Sequence, residues 1–176
     1  MISIIIPCYN EVRTIKTILK KLDTNKLNQA LKNVKHRARL EKITKGKLLD
    51  YINTNNQLYL DGAHNEAAAE AVSKFLETLK GKKIYMILGM LNTKDPKVFL
   101  KQFTSNITAI KTILIPQQDN SQDPKILAKV ANEFGIKATP SQGITEALHE
   151  IANEDPNAII LITGSLYLMG EILNIN

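Results

Sequence analysis

The chain has 176 residues, 44% of them hydrophobic and 23% charged, with a net charge of +6. This is enough for one ordinary globular domain, which at this size buries about 70% of its unfolded surface and needs no disulfide or metal staple. A single cysteine, Cys8, excludes an internal bridge and a thiolate zinc site. No apolar stretch approaches the ~20 residues that span a bilayer, and the opening residues lack the basic start and cleavage site of a secretory signal, so a cytoplasmic protein is expected.

In chain order, residues 2–6 read as a short apolar strand, ending in Pro7-Cys8-Tyr9-Asn10-Glu11. Residues 11–22 read as a helix with Ile15, Ile18, Leu19 and Leu22 on one face. The stretch 23–56 is polar, and only Leu27, Leu31, Val34 and Leu40 suggest a core face. From Gln57 onward strands and helices alternate. A strand at 58–60 leads into a helix at 65–79 with Ala68, Ala71, Val72, Phe75, Leu76 and Leu79 inward, stopped by Gly81. Residues 84–88 are continuously apolar, as in a strand buried on both faces. A helix at 95–103 carries Pro96 in its first turn, and 110–115 is a third strand.

Asp123-Pro124 opens a helix with Ile126, Leu127, Val130 and Phe134 inward, and Gly135 closes it. A short strand at 136–139, a helix at 144–151, the most apolar and therefore central strand at 158–163, and a helix at 166–173 complete the pattern. Such alternation predicts an α/β fold, an open and mostly parallel sheet with helices on both faces. Ligands of such folds collect at the carboxyl ends of the strands.

Three loops fall at those ends. Asp61 follows the first of these strands, with His64 three residues on and Asn65 opening a helix. An acid there can hold a ribose hydroxyl, a metal-bound water or an ammonium group, and a histidine at a helix mouth can donate to an anion. Equally, Asn65 can be a plain N-cap with Asp61 and His64 tying down the turn. Gly89 to Asp95 forms the second loop, where Lys94 can neutralise a phosphate and Asp95 can cap the next helix. Ser165, in the third, can cap its helix or bind an anion there. Arg39 lies in a basic stretch that includes Lys35, Arg37, Lys42, Lys45 and Lys47. That stretch permits a basic binding module for nucleic acid, but it has no interleaved aromatics and no binding motif, so a solvated surface is the expectation. There is no Gly-x-Ser-x-Gly elbow and no phosphate-cradling loop ending in Gly-Lys-Ser/Thr.

Taken in order, Leu60-Asp61-Gly62-Ala63-His64-Asn65, Gly89-Met90-Leu91 with Lys94-Asp95, and Thr163-Gly164-Ser165-Leu166-Tyr167-Leu168 resemble the C-terminal domain of folylpolyglutamate synthase/dihydrofolate synthase, of the Mur ligase superfamily. The likeness spans residues 36–176. It implies a Rossmann-like domain and an ATP- and Mg²⁺-dependent chemistry: a pteroate or folate carboxylate is phosphorylated, and the amine of glutamate attacks the acyl phosphate. By matching position, Asp61, His64 and Asn65 would face nucleotide and glutamate, Lys94 and Asp95 would shape an interdomain cleft, and Ser165 would help to hold glutamate. Arg39 matches the phosphate-contacting arginine of the family's Trp-Pro-Gly-Arg-Leu-Glu stretch, here His36-Arg37-Ala38-Arg39-Leu40-Glu41, without the tryptophan, proline and glycine. Glu66 stands where the family has proline after His-Asn.

The resemblance assigns the P-loop and the Mg²⁺ ligands to an N-terminal domain whose motifs are not in this sequence. The expectation is therefore a truncated synthase that does not ligate alone and works, if at all, with a separate P-loop chain. Residues 1–22 instead resemble the opening strand and helix of a GT-A-type glycosyltransferase, without its Asp-x-Asp, and 23–35 would be a junction.

Overall fold

An apolar run with no alternation needs cover on both faces, and the runs at 84–88 and 158–163 find it. In the computed structural model, which describes residues 36–79 and 81–176, they form β3 (Ile84–Leu88) and β6 (Ile159–Thr163), paired in the middle of a six-stranded sheet. Every residue of both strands is buried. With β1 (Glu41–Ile43), β2 (Gln57–Leu60), β4 (Ala109–Thr112) and β5 (Ala138–Pro140), the order across the sheet is β1-β2-β6-β3-β4-β5. All neighbours are parallel except β1, which runs antiparallel to β2 with Ile43 opposite Leu58. The sequence-based fold class is the one observed, with the 158–163 run central. Residues 37–176 form one compact unit.

The pleat sorts the core into two layers. Ile84, Met86, Leu88, Ile159 and Leu161 face α1 (Glu66–Glu77), α2 (Pro96–Leu100) and α3 (Pro124–Glu133). Tyr85, Ile87, Ile160 and Ile162 face α4 (Ile144–Glu154) and α5 (Leu166–Ile175), with Leu48 of a 3-10 turn at Lys47–Tyr51. The helices start where capping chemistry permits. Asn65 Oδ1 accepts from Ala68 N at 3.0 Å, Asp95 from Lys97 N at 2.8 Å and Asp123 from Lys125 N at 2.8 Å, the last two with proline in the first turn. Past the end of α1, Gly81 has φ +86°, the left-handed stop that glycine adopts without strain.

Several expectations need correction. Ile126 is not inward: it is 47% exposed, because α3 turns Leu127, Ala128, Val130 and Ala131 to the sheet and leaves Ile126 one step round the helix. Ala71 is likewise exposed on α1, where Ala69, Val72 and Leu76 are buried. The ladder of β4 stops at Thr112, although Ile113 and Ile115 remain buried, since Ile115 N turns to Ser121 Oγ at 2.9 Å. Within 136–139 the strand begins only at Ala138: Ile136 N still bonds to Ala131 O, and Asn132 then brackets Ala138, donating to its carbonyl and accepting from its amide. The described part of the polar 23–56 stretch does contribute core, through Ile43 and Leu48. A three-residue strand and a single 3-10 turn contain too few residues to show a period. The expected strand at 2–6, helix at 11–22, glycosyltransferase-like segment and 23–35 junction lie outside the described residues. No described helix is long and apolar enough to cross a membrane.

Candidate functional site at the carboxyl rim

Because β2, β6 and β3 are adjacent and parallel, their carboxyl ends share one rim. The backbone ties the three exits together. Asp61 N donates to Ile162 O at 3.0 Å, Gly164 N to Ala63 O at 3.0 Å and Gly89 N to Thr163 O at 3.2 Å. Gly164 has φ +109°, and a Cβ on it would stand 2.5 Å from Gly89 O, so no side chain fits there. A cleft of about 220 Å³ opens beside these turns, lined by His64, Leu91, Thr93, Lys94, Gly164, Ser165, Leu166 and Tyr167. His64, Lys94 and Ser165, far apart in sequence, thus come to one place. Leu166 and Tyr167 are 47% and 58% exposed at its edge.

Each expected residue has a definite local role. His64 is half-buried, with Nδ1 2.9 Å from Gly62 O. A carbonyl only accepts, so Nδ1 carries the proton of the neutral ring and Nε2 keeps its lone pair. Ser165 is buried, and its Oγ accepts from Tyr167 N at 3.1 Å, capping α5. The hydroxyl can still donate its own proton. Lys94 is exposed in the turn before α2. Asn65 and Asp95 are exposed caps and do not line the cleft.

Asp61 is only 5% exposed. Its Oδ1 accepts from Ala63 N and its Oδ2 from Leu40 N, both at 2.8 Å. Burial pushes its carboxyl above the ordinary value of 3.8, against the opposing pull of the Leu40 and Ala63 amides and the nearby Arg39 charge. The exposed Arg39 sits in a loop, 37–41, whose backbone is unusual. Ala38 and Leu40 on either side of it have φ +54° and +47°. Glu41 accepts from Ala38 N at 2.7 Å and lies 2.7 Å from Arg37 Nε, while Gly62 N donates to Ala38 O at 2.9 Å. Sequence reasoning gave Glu41 no role, although it stands at the glutamate of the family stretch, and the family glycine replaced by Ala38 marks a left-handed backbone position.

For a nucleotide phosphate the cleft offers the cationic Lys94, whereas Arg39, beside the end of β2, does not line it. For Mg²⁺ the residues do not fit. Among the described residues no group of three His, Cys, Asp or Glu side chains converges, so no dedicated cage exists there.

This arrangement, an open sheet with polar loops gathered on its carboxyl rim, defines the chain as a Rossmann-like α/β domain. The same fold occurs in Mycobacterium tuberculosis folylpolyglutamate synthase complexed with ADP, with a TM-score of 0.71 and 21% identity over 88% of this chain and 35% of that one. It occurs also in the bifunctional folylpolyglutamate synthase/dihydrofolate synthase of Yersinia pestis complexed with AMPPNP and Mn ion, with a TM-score of 0.67 and 17% identity over 87% of this chain and 34% of that one.

The sequence model of the family described as dihydrofolate synthetase, C-terminal domain, matches residues 44–175, and the chain belongs to that family. Folylpolyglutamate synthase of Lacticaseibacillus casei is 28% identical over 135 residues, 77% of this chain and 28% of the relative. A probable bifunctional folylpolyglutamate synthase/dihydropteroate synthase of Haloferax volcanii is 24% identical over 154 residues, 85% of this chain and 17% of the relative. The chain therefore spans less than a third of the length of these curated relatives.

Proposed function

We propose that this domain supplies one side of the active site of an ATP-dependent ligase that joins glutamate to a folate or pteroate carboxylate through an acyl phosphate. The observation that carries this reading is the convergence of His64, Lys94 and Ser165 on one cleft at the carboxyl rim, in a chain of the dihydrofolate synthetase C-terminal family. Arg39 and Lys94 would hold nucleotide phosphate, and the hydroxyl of Ser165 and the imidazole of His64 would orient glutamate. ATP would transfer its γ-phosphoryl group to the carboxylate, leaving ADP and an acyl phosphate, a mixed anhydride from which the glutamate amine displaces phosphate as the amide forms. This chain's own contribution is charge neutralisation and positioning.

The grip on the β,γ-phosphates and on Mg²⁺ would come from a P-loop domain, in a separate chain or elsewhere. The glycosyltransferase reading rests on the first strand and helix of residues 1–22 only, and binding or hydrolysis of a UDP-sugar would test it.

The experiment mixes the purified chain with ATP, Mg²⁺, glutamate and dihydropteroate, then repeats the assay with a P-loop domain of a folylpolyglutamate synthase added. The expectation is no turnover alone, and ADP binding that Arg39→Ala weakens about tenfold or more. Turnover by the chain alone would overturn the half-site reading, and ADP binding indifferent to Arg39 and Lys94 would overturn the site.

A further inference from the structure

We propose that Asp61 is a positioning residue whose buried carboxylate clamps loop 37–41 to the end of β2 and so fixes Arg39 on the rim, without touching a ligand itself. The proposal rests on the reading of Arg39 as a phosphate contact. Its geometry is independent of that reading.

An aspartate that binds a hydroxyl or an ammonium must present an oxygen to it. Asp61 presents its oxygens to the protein: Oδ2 to Leu40 N and Oδ1 to Ala63 N, each at 2.8 Å. At 5% exposure it has little surface left to offer a ligand. One of these bonds is local and shapes the turn into His64. The other crosses 21 positions and reaches the residue directly after Arg39.

The loop needs holding. Ala38 at φ +54° and Leu40 at φ +47° both occupy the left-handed region with a side chain, a conformation that persists only where its surroundings over-determine it. Here the restraints fall on both sides of Arg39. Glu41 takes Ala38 N, Gly62 N takes Ala38 O, and Asp61 takes Leu40 N. The result is an exposed arginine on a backbone that cannot relax without giving up a partly buried hydrogen bond. Such preorganisation lowers the ordering cost of capturing an anion.

The test uses the full chain with two readouts: calorimetric binding of ADP, and the rate of tryptic cleavage after Arg39 followed by mass spectrometry. Asp61→Asn keeps the shape but turns an amide NH₂ toward a backbone donor. The clamp predicts about tenfold weaker ADP binding when Arg39 is present and less than about twofold further loss in an Arg39→Ala background. It also predicts cleavage after Arg39 about tenfold faster, as for other locally opened segments. Glu41→Gln, which leaves Asp61 and the strand end intact, should accelerate cleavage in the same direction, and it serves if Asp61→Asn does not fold.

Equal loss of ADP binding in both backgrounds would mean that Asp61 meets the ligand directly, and would overturn the proposal. So would unchanged cleavage in both variants. If the wild-type chain binds no ADP, the nucleotide reading falls and the cleavage rates alone decide the clamp.

Discussion

The exits of β2 and β6 are neighbours on one rim, yet they are built on opposite principles. The β2 exit is fastened by a charge: the Asp61 carboxylate gathers the amides of Leu40 and Ala63. The β6 exit is fastened by the absence of a side chain: Gly164 lets its backbone lie against Gly89 O, where a Cβ would stand at 2.5 Å. A corner built on accepted hydrogen bonds can be loosened by a modest change of acceptor. A corner built on contact has no intermediate setting and fails when an atom is added. The first therefore suits a loop that must be placed, and the second suits the floor of a cleft.

Substitutions should expose this contrast in order of size. Gly164→Ala should have the largest effect, because the new Cβ meets a backbone oxygen and the residue already sits at φ +109°. A loss of about 3 kcal/mol or more is expected from clash and strain together, measured by urea unfolding. Asp61→Ala strands two backbone donors that the carboxylate now satisfies. About 2–3 kcal/mol of destabilisation is expected, and the same urea series would place it below Gly164→Ala. A variant of equal or larger cost at Asp61 would reverse the comparison.

Ala38→Gly should act in the other direction. It removes the penalty of a Cβ at φ +54°, so a gain of up to about 1 kcal/mol is expected, visible as a raised Tm.

The smallest effect is a pH dependence. Burial raises the folded-state pKa of Asp61 above 3.8. Between 3.8 and that raised value the folded chain holds more protons than the unfolded one, so this group's contribution falls as pH rises through the window. Wild type should lose stability relative to Asp61→Asn as pH climbs from 3.8, and a relative gain over that interval would refute the sign.

What the sequence made legible follows the same division. β3 and β6 could be read directly, because continuous apolar runs such as Ile84-Tyr85-Met86-Ile87-Leu88 suit a strand covered on both faces of an α/β sheet. The caps at Asn65, Asp95 and Asp123 could be read because a short polar side chain before a helical period has a local partner. The cleft was legible only as an expectation that three loops would meet, since strand order rather than motif spacing brings His64, Lys94 and Ser165 together. The corner at 37–41 was not legible. Its strand has three residues, its strain lies in φ angles of Ala38 and Leu40 that residue types do not announce, and its main tie joins positions 40 and 61. The misassigned face of α3 is a smaller case: Ile126 is apolar and correctly spaced from Val130, but Pro124 and the Asp123 cap set the phase that leaves it outside.

The carbonyl of Gly62 has one more effect on the rim. By occupying the Nδ1 proton of His64, it makes the neutral imidazole a one-way group whose second nitrogen can only receive a hydrogen. Uncharged, the ring is a partner for an incoming ammonium. A single backbone oxygen thus leaves Nε2 as the ring's one open acceptor.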